Sequence, residues 1–221
     1  AGFSIAESAG STTVTEAGGT DIYTVVLDAQ PSSGVSIDIS SGDTGEATLS
    51  ASSLFFSTTN WDTPQTVTVT GVDDDIIDGT TTTTITMSLD AAATADEFDA
   101  VSNQTVSVDN TDNDVAGFTI LESGTTDVTE AGTTDTYTVV LDAEPSSSVV
   151  IDVSSDDTGE VTVSAASLTF TTINWDTPQT VTVTGQDDGI IVGTSTTTIT
   201  MSIDAAATAV EFDAVALQTV S

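Results

Sequence analysis

The stretch Leu54-Phe55-Phe56-Ser57-Thr58-Thr59-Asn60-Trp61-Asp62-Thr63-Pro64-Gln65-Thr66-Val67-Thr68-Val69-Thr70-Gly71 decides the fold. Val67-Thr68-Val69-Thr70 alternates an apolar with a hydroxyl side chain, and a period of two puts the valines on one face of a strand and the threonines on the other. Asp62-Thr63-Pro64 is turn chemistry, so the run reads as strand, turn, strand. The segment returns as residues 168–185 with Asn-Trp-Asp-Thr-Pro intact.

That return is part of a longer repeat. Residues 10–107 lie over residues 124–221 at an offset of 114, and about 75 of the 98 positions are identical. Gly2-Phe3-Ser4-Ile5 likewise corresponds to Gly117-Phe118-Thr119-Ile120. Each unit is therefore the size of one ordinary domain, residues 1–115 and residues 116–221, the second lacking the acidic segment that closes the first. The phase is expected to reflect either a piece of a longer array or a subunit whose last segment a neighbour supplies.

Period-two runs in the first unit predict strands over residues 3–7 with 13–15, then 21–28, 35–40, 53–57, 66–72, 82–89 and 104–109, with mates 114 residues on. Between them lie Glu16-Ala17-Gly18-Gly19, Pro31-Ser32-Ser33-Gly34, Asp43-Thr44-Gly45-Glu46 and Asp78-Gly79. Short strands at short turn spacing predict an all-β chain of two tandem antiparallel immunoglobulin-like β-sandwiches.

The composition is lopsided: 35 Asp and Glu stand against no Lys, Arg or His, for a formal net charge of −35, and there is no Cys. A hydrophobic content of 38% and a mean hydropathy of +0.14 argue for a folded chain despite that charge. Nucleic acid and anionic membrane surfaces are repelled, because their binding rests on cationic side chains. No apolar run is long enough to span a bilayer. A His base, a Lys Schiff base, a Cys nucleophile and an Arg clamp are all excluded. A carboxylate pair could run glycoside hydrolysis in principle, but loop acids in near-identical small repeats point away from an enzyme. Trypsin-like proteases find no cleavage site, and Lys–Asn isopeptide cross-links cannot form.

Alternating strand direction places the loops that follow the second, fourth, sixth and last strand regions at one pole. They carry Glu16, Asp43, Asp73, Asp74, Asp75, Asp78, Asp109, Asp112 and Asp114. Carboxylates about 4 Å apart repel by about 1 kcal/mol per pair even in water, and no basic side chain offsets this. A hard divalent cation would, and Ca²⁺ suits such a set because it takes six to eight oxygens in forgiving geometry. Mg²⁺ resists dehydration, and zinc prefers the absent His and Cys. The pole leads into the second repeat, so bound Ca²⁺ is expected to stiffen the joint. At the opposite pole, Asp96, Glu97 and Asp99 read as a solvated loop.

Val14-Thr15-Glu16-Ala17-Gly18-Gly19, the run from Thr68 through Gly71-Val72-Asp73-Asp74-Asp75-Ile76-Ile77-Asp78, and Val106-Ser107-Val108-Asp109-Asn110-Thr111-Asp112-Asn113-Asp114 together resemble a Calx-beta domain. That family is the calcium-binding sandwich of sodium–calcium exchangers and of many large secreted or surface bacterial proteins. The resemblance covers a whole domain twice. It implies calcium ligation by Glu16, Asp43, Asp73, Asp74, Asp78, Asp112 and Asp114, in agreement with the strand-direction reading. The second repeat keeps Glu130, Asp157, Asp187 and Asp188, but has Gly189 for Asp75 and Val192 for Asp78, and its site is expected to be weaker or absent. The segment 54–71 further resembles repeats of giant bacterial adhesins and matrix-like proteins.

The resulting expectation is an extracellular or cell-surface structural or adhesive protein, calcium-rigidified, acting as a stalk or filament-building unit whose partners are neighbouring copies of the repeat. A shared or exchanged edge strand would make it a filament subunit. The rival is a carbohydrate-binding module using Trp61 or Trp175 on exposed loops to engage surface polysaccharide.

Overall fold

Alternating apolar positions assemble into two sheets per repeat in a computed structural model that describes residues 1–187, 189 and 193–221. Two units result: residues 1–74 with 78–113, and residues 75–77 with 114–221. The first contains β1 (Phe3–Glu7), β2 (Thr12–Thr15), β3 (Thr20–Leu27), β4 (Val35–Ser41), β5 (Ala47–Leu49), β6 (Ser53–Phe56), β7 (Gln65–Gly71), β8 (Thr80–Leu89) and β9 (Gln104–Thr111). One sheet has the order β1-β3-β7-β5 and the other β2-β9-β8-β4-β6. Val67 and Val69 of β7 face inward with Tyr23, Val25 and Leu27 of β3, opposite Val35 and Ile37 of β4 and Ile85 and Met87 of β8. The intervening threonines point outward, as the period of two requires. Burying each large side chain of this set is worth about 1.5–3 kcal/mol.

Two features depart from the expected pattern. Ala47-Thr48-Leu49 is a short strand of its own, antiparallel to β7, because Ala47 and Leu49 meet Gly71 and Val69 across the ladder. And β2 runs parallel to β9, with Thr12 opposite Val108 and Thr15 opposite Thr111, in an otherwise antiparallel sheet. Such a pair needs a long connection, and here the whole domain lies between the two segments.

The loop expected to be merely solvated at the other pole is also built. Asp96–Phe98 forms a 3₁₀ turn with Phe98 wholly buried. The Glu97 carboxylate accepts the Ser32 backbone N–H at 2.6 Å and its hydroxyl at 3.0 Å, holding the Glu97 pKa below the usual carboxylate range. Glu211 accepts the Ser146 N–H in the second unit in the same way.

The second unit contains β10 (Phe118–Glu122), β11 (Thr134–Leu141), β12 (Val149–Ser155), β13 (Val161–Val163), β14 (Ser167–Phe170), β15 (Gln179–Gly185), β16 (Ile199–Ile203) and β17 (Gln218–Val220). Its sheets are β10-β11-β15-β13 and β14-β12-β16-β17. The expected mate of β2 is not a strand: residues 126–129 lie outside any ladder. In the first unit Thr12–Thr15 gain their ladder from Val108–Thr111 of β9, a pairing that residues 126–129 do not make. The mate of β8 is strand over Ile199–Ile203.

Candidate metal centre

Three loops of the first unit meet because backbone hydrogen bonds tie them together. The Glu16 N–H donates to the Thr111 carbonyl at 3.1 Å, extending the parallel ladder by one rung. The chain then turns sharply, the Gly19 N–H donating to the Thr15 carbonyl at 3.0 Å, with Gly18 at φ +78°, where a side chain would be strained. The Gly71 N–H donates to the Gly19 carbonyl at 2.9 Å, so the turn after β2 sits on the end of β7. A β-carbon at Gly71 would collide with the Thr15 carbonyl oxygen, so this close approach needs glycine.

Side chains complete the junction. Asn113 donates from its amide nitrogen to Asp73 Oδ1 at 2.7 Å and from its backbone N–H to Glu16 Oε2 at 3.3 Å. The Gly79 N–H donates to Asp112 Oδ2 at 2.8 Å. Glu16 and Asp112 each place one carboxylate oxygen within 4.8 Å of the other. Asp114, two residues along the chain from Asp112, groups with the second unit.

Glu16 is the unusual member. It is 1% exposed, and its Oε1 is buried with no hydrogen-bond partner. Burial pushes its pKa up to about 7; the Asn113 N–H opposes that shift, while Asp112, Asp74 and Asp78 reinforce it. Asp78 is also raised, by partial desolvation and by the charges of Glu46, Asp74 and Asp112. Beneath them Asn110, fully buried, donates from Nδ2 to Glu46 Oε2 at 3.1 Å and to the Val72 carbonyl at 3.2 Å, leaving its Oδ1 buried without a partner. A buried carboxylate oxygen facing further carboxylates, with only oxygen donors about it, fits a hard cation of the Ca²⁺ type. Glu16 and Asp112 would hold it, with Asp73, Asp74 and Asp78 on the adjoining loop.

Other expected residues lie elsewhere. Asp43 is exposed and turns its Oδ1 back to the Gly45 N–H at 2.8 Å. Asp109 lies within β9 rather than in the loop beyond it, its carboxylate accepting the Thr82 hydroxyl at 2.8 Å. Asp75 groups with the second unit, where its carbonyl accepts the Glu144 N–H at 2.7 Å. In that unit Glu130 is exposed where Glu16 is buried, and Asp157 and Asp187 accept the N–H groups of Gly159 and Gly189. Asp188 lies outside the described residues. Glu46 and Asn113 escaped the reading of the residues, although the spacing Asp43-Thr44-Gly45-Glu46 offered a signal for the first. Trp61 and Trp175 are half-buried and pack against the two cores, which leaves less ring face for a sugar than exposed loops would.

No protein-family model matches the chain, and no curated protein matches it. Among solved structures it is similar to CBD12 from CALX1.2, at 14% identity over 90% of this chain and 79% of that one, with a TM-score of 0.36. It is similar to domains 5–6 of the S-layer protein SbsC, at 21% identity over 98% and 95%, with a TM-score of 0.32. A third likeness is to the CsuC–CsuE chaperone–tip adhesion subunit complex of the Csu pili of Acinetobacter baumannii, at 8% identity over 100% and 98%, with a TM-score of 0.39. The chain itself is an all-β protein of two tandem immunoglobulin-like sandwich repeats.

Proposed function

We propose that this protein is a calcium-stabilised structural or adhesive repeat of the cell exterior, with no catalytic role, whose cation site is the acidic pole of the first repeat. The observation that carries the reading is Glu16: a carboxylate almost wholly removed from water, with one oxygen unpartnered, in a chain that has no cationic side chain to neutralise it. A divalent ion would supply the missing charge and the missing bond together. Near-identical repeats without cations support a durable external array, and its natural partners are further copies of the same unit.

Isothermal titration of the metal-free chain with Ca²⁺ and, separately, with Mg²⁺ tests the site. Saturable Ca²⁺ binding with Mg²⁺ at least tenfold weaker supports it. Heats no greater than those of dilution for Ca²⁺ would sink it.

A further inference from the structure

In each repeat two glutamine amides cross from one sheet to an edge strand of the other. Gln65, the first residue of β7, donates from Nε2 to the Phe55 carbonyl of β6 at 2.8 Å. Gln104, the first residue of β9, donates from Nε2 to the Phe3 carbonyl of β1. Both acceptors lie on outermost strands, β6 in one sheet and β1 in the other. The second unit repeats the pattern: Gln179 of β15 donates to the Thr169 carbonyl of β14 at 2.8 Å, and Gln218 of β17 to the Phe118 carbonyl of β10.

The carbonyls taken are ones that point off the sheet. The Ile39 N–H donates to the Ser52 carbonyl at 2.8 Å, which fixes the alternation along β4 and β6: Leu54 and Phe56 turn their main chain to β4, while Ser53 and Phe55 turn theirs away. On β1 the bonds from Asp28 N–H to Gly2 and from Ser8 N–H to Ile22 leave Phe3, Ile5 and Glu7 facing outward by the same alternation. An outward row of main-chain groups is a template for a further strand, and proteins ordinarily blunt it with Lys, Pro or charge. This chain has no Lys, and neither Ser53-Leu54-Phe55-Phe56 nor Ser167-Leu168-Thr169-Phe170 contains Pro or a charged residue. The other two edges of the first unit are blunted differently: β5 has only three residues, and the outward Thr13 N–H of β2 donates to Asp21 Oδ2 at 3.0 Å.

We infer that Gln65, Gln104, Gln179 and Gln218 are edge guards, which keep the sheets from adding a strand of a second copy of this chain. A strand arriving at β6 needs the Phe55 carbonyl as an acceptor and the space beside it, and the Gln65 amide occupies both. A second copy is the partner this edge fits. β6 is uncharged, so it adds nothing to the repulsion between two chains of net charge −35, and Phe55, 57% exposed, offers an incoming strand an apolar side chain to cover. The guards lie on the flanks of each sandwich and touch none of the acidic loops, so the inference stands or falls apart from the calcium reading.

The test is sedimentation velocity of the full chain in chelator over a concentration series, with amide exchange followed by nuclear magnetic resonance. Gln65→Met combined with Gln179→Met keeps the length of each side chain and removes the donor. The double variant is expected to self-associate at least tenfold more tightly than wild type, with at least tenfold slower exchange at Ser53, Phe55, Ser167 and Thr169 once associated. Each single variant should slow exchange only in its own repeat. Gln30→Met removes a bond of the same kind, from Nε2 to the Thr58 carbonyl at 2.8 Å, but at a turn instead of an edge, and should sediment as wild type does. Phe98→Ala, which loosens the core and leaves every guard in place, should do the same. Wild-type sedimentation of the double variant, equal association by Gln30→Met or Phe98→Ala, or association without slower exchange at the four edge residues would each overturn the inference.

Discussion

Glu16 Oε2 accepts the backbone N–H of Asn113 at 3.3 Å, which ties the turn after β2 to the segment after β9 across almost the whole length of the first repeat. The same carboxylate leaves Oε1 buried and unpartnered. One oxygen therefore serves the fold, and the other has no hydrogen bond within the chain. The two roles can be separated by substitution.

Glu16→Gln keeps the size of the side chain and an acceptor for Asn113, but removes the charge a cation needs. Calcium affinity measured by titration calorimetry is expected to fall at least tenfold, about 1.4 kcal/mol. Asp43→Asn, at a residue that caps its own turn away from the cluster, is expected to change affinity less than threefold.

The raised pKa of Glu16 sets a pH dependence whose sign is opposite to that of a paired carboxylate. Its folded-state value of about 7 lies above the ordinary 4.5, so between these the native state binds more protons than the unfolded one. Stability from this residue is full below pH 4.5 and is lost as pH rises to about 7, by at most about 3 kcal/mol. Chelated wild type should therefore weaken more over pH 5–7.5 in urea unfolding than chelated Glu16→Gln. Self-repulsion among the other carboxylates is common to both proteins and cancels in the comparison. Saturating Ca²⁺ should remove most of the difference in slope.

Gly71→Ala places a methyl group against the Thr15 carbonyl oxygen and the Asn110 side chain. A loss of about 1–3 kcal/mol in the unfolding of the first repeat is expected from overpacking alone. Gly185→Ala faces the Thr129 carbonyl in the second repeat, where residues 126–129 are not held in a sheet. It should cost less, and chemical denaturation of the two variants compares them directly.

Phe98 is fully buried on the 3₁₀ turn of the opposite pole. Phe98→Ala is expected to destabilise the first repeat by about 3–5 kcal/mol, as a cavity-forming change in a β core does. Calcium affinity should be unaltered if the mutant is measured below its melting temperature, because the turn does not touch the acidic loops.

Legibility in the sequence followed periodicity. Val67-Thr68-Val69-Thr70 and its kind announce their buried face directly, and the main strands appear where that alternation runs for four residues or more. Ala47-Thr48-Leu49 is too short for a period to register, and only its partnership with β7 makes it a strand. Strand parity brings Glu16, Asp73, Asp74, Asp78 and Asp112 to one pole, but it carries no information about burial. The difference between Glu16, sealed by three loops, and Asp43, turned back on Gly45, comes from hydrogen bonds formed only after the chain has folded. Asp109 shows the limit at a strand end: the expected strand closes on it, but β9 continues two residues further, so Asp109 sits inside the ladder and not at the opening of the acidic loop. The second repeat differs from the first mainly through what residues 126–129 lack as a partner, a non-local property that the near-identity of the copies conceals.

Calcium stabilisation is read by differential scanning calorimetry of the chain at pH 7.5 in excess chelator and in excess Ca²⁺. At free Ca²⁺ a hundredfold above the dissociation constant, binding adds about 2.7 kcal/mol to the folded state. For a repeat of this size the melting temperature should rise by roughly 10 °C or more, and Glu16→Gln should lose most of that rise. Coincident melting temperatures in chelator and in calcium would contradict it.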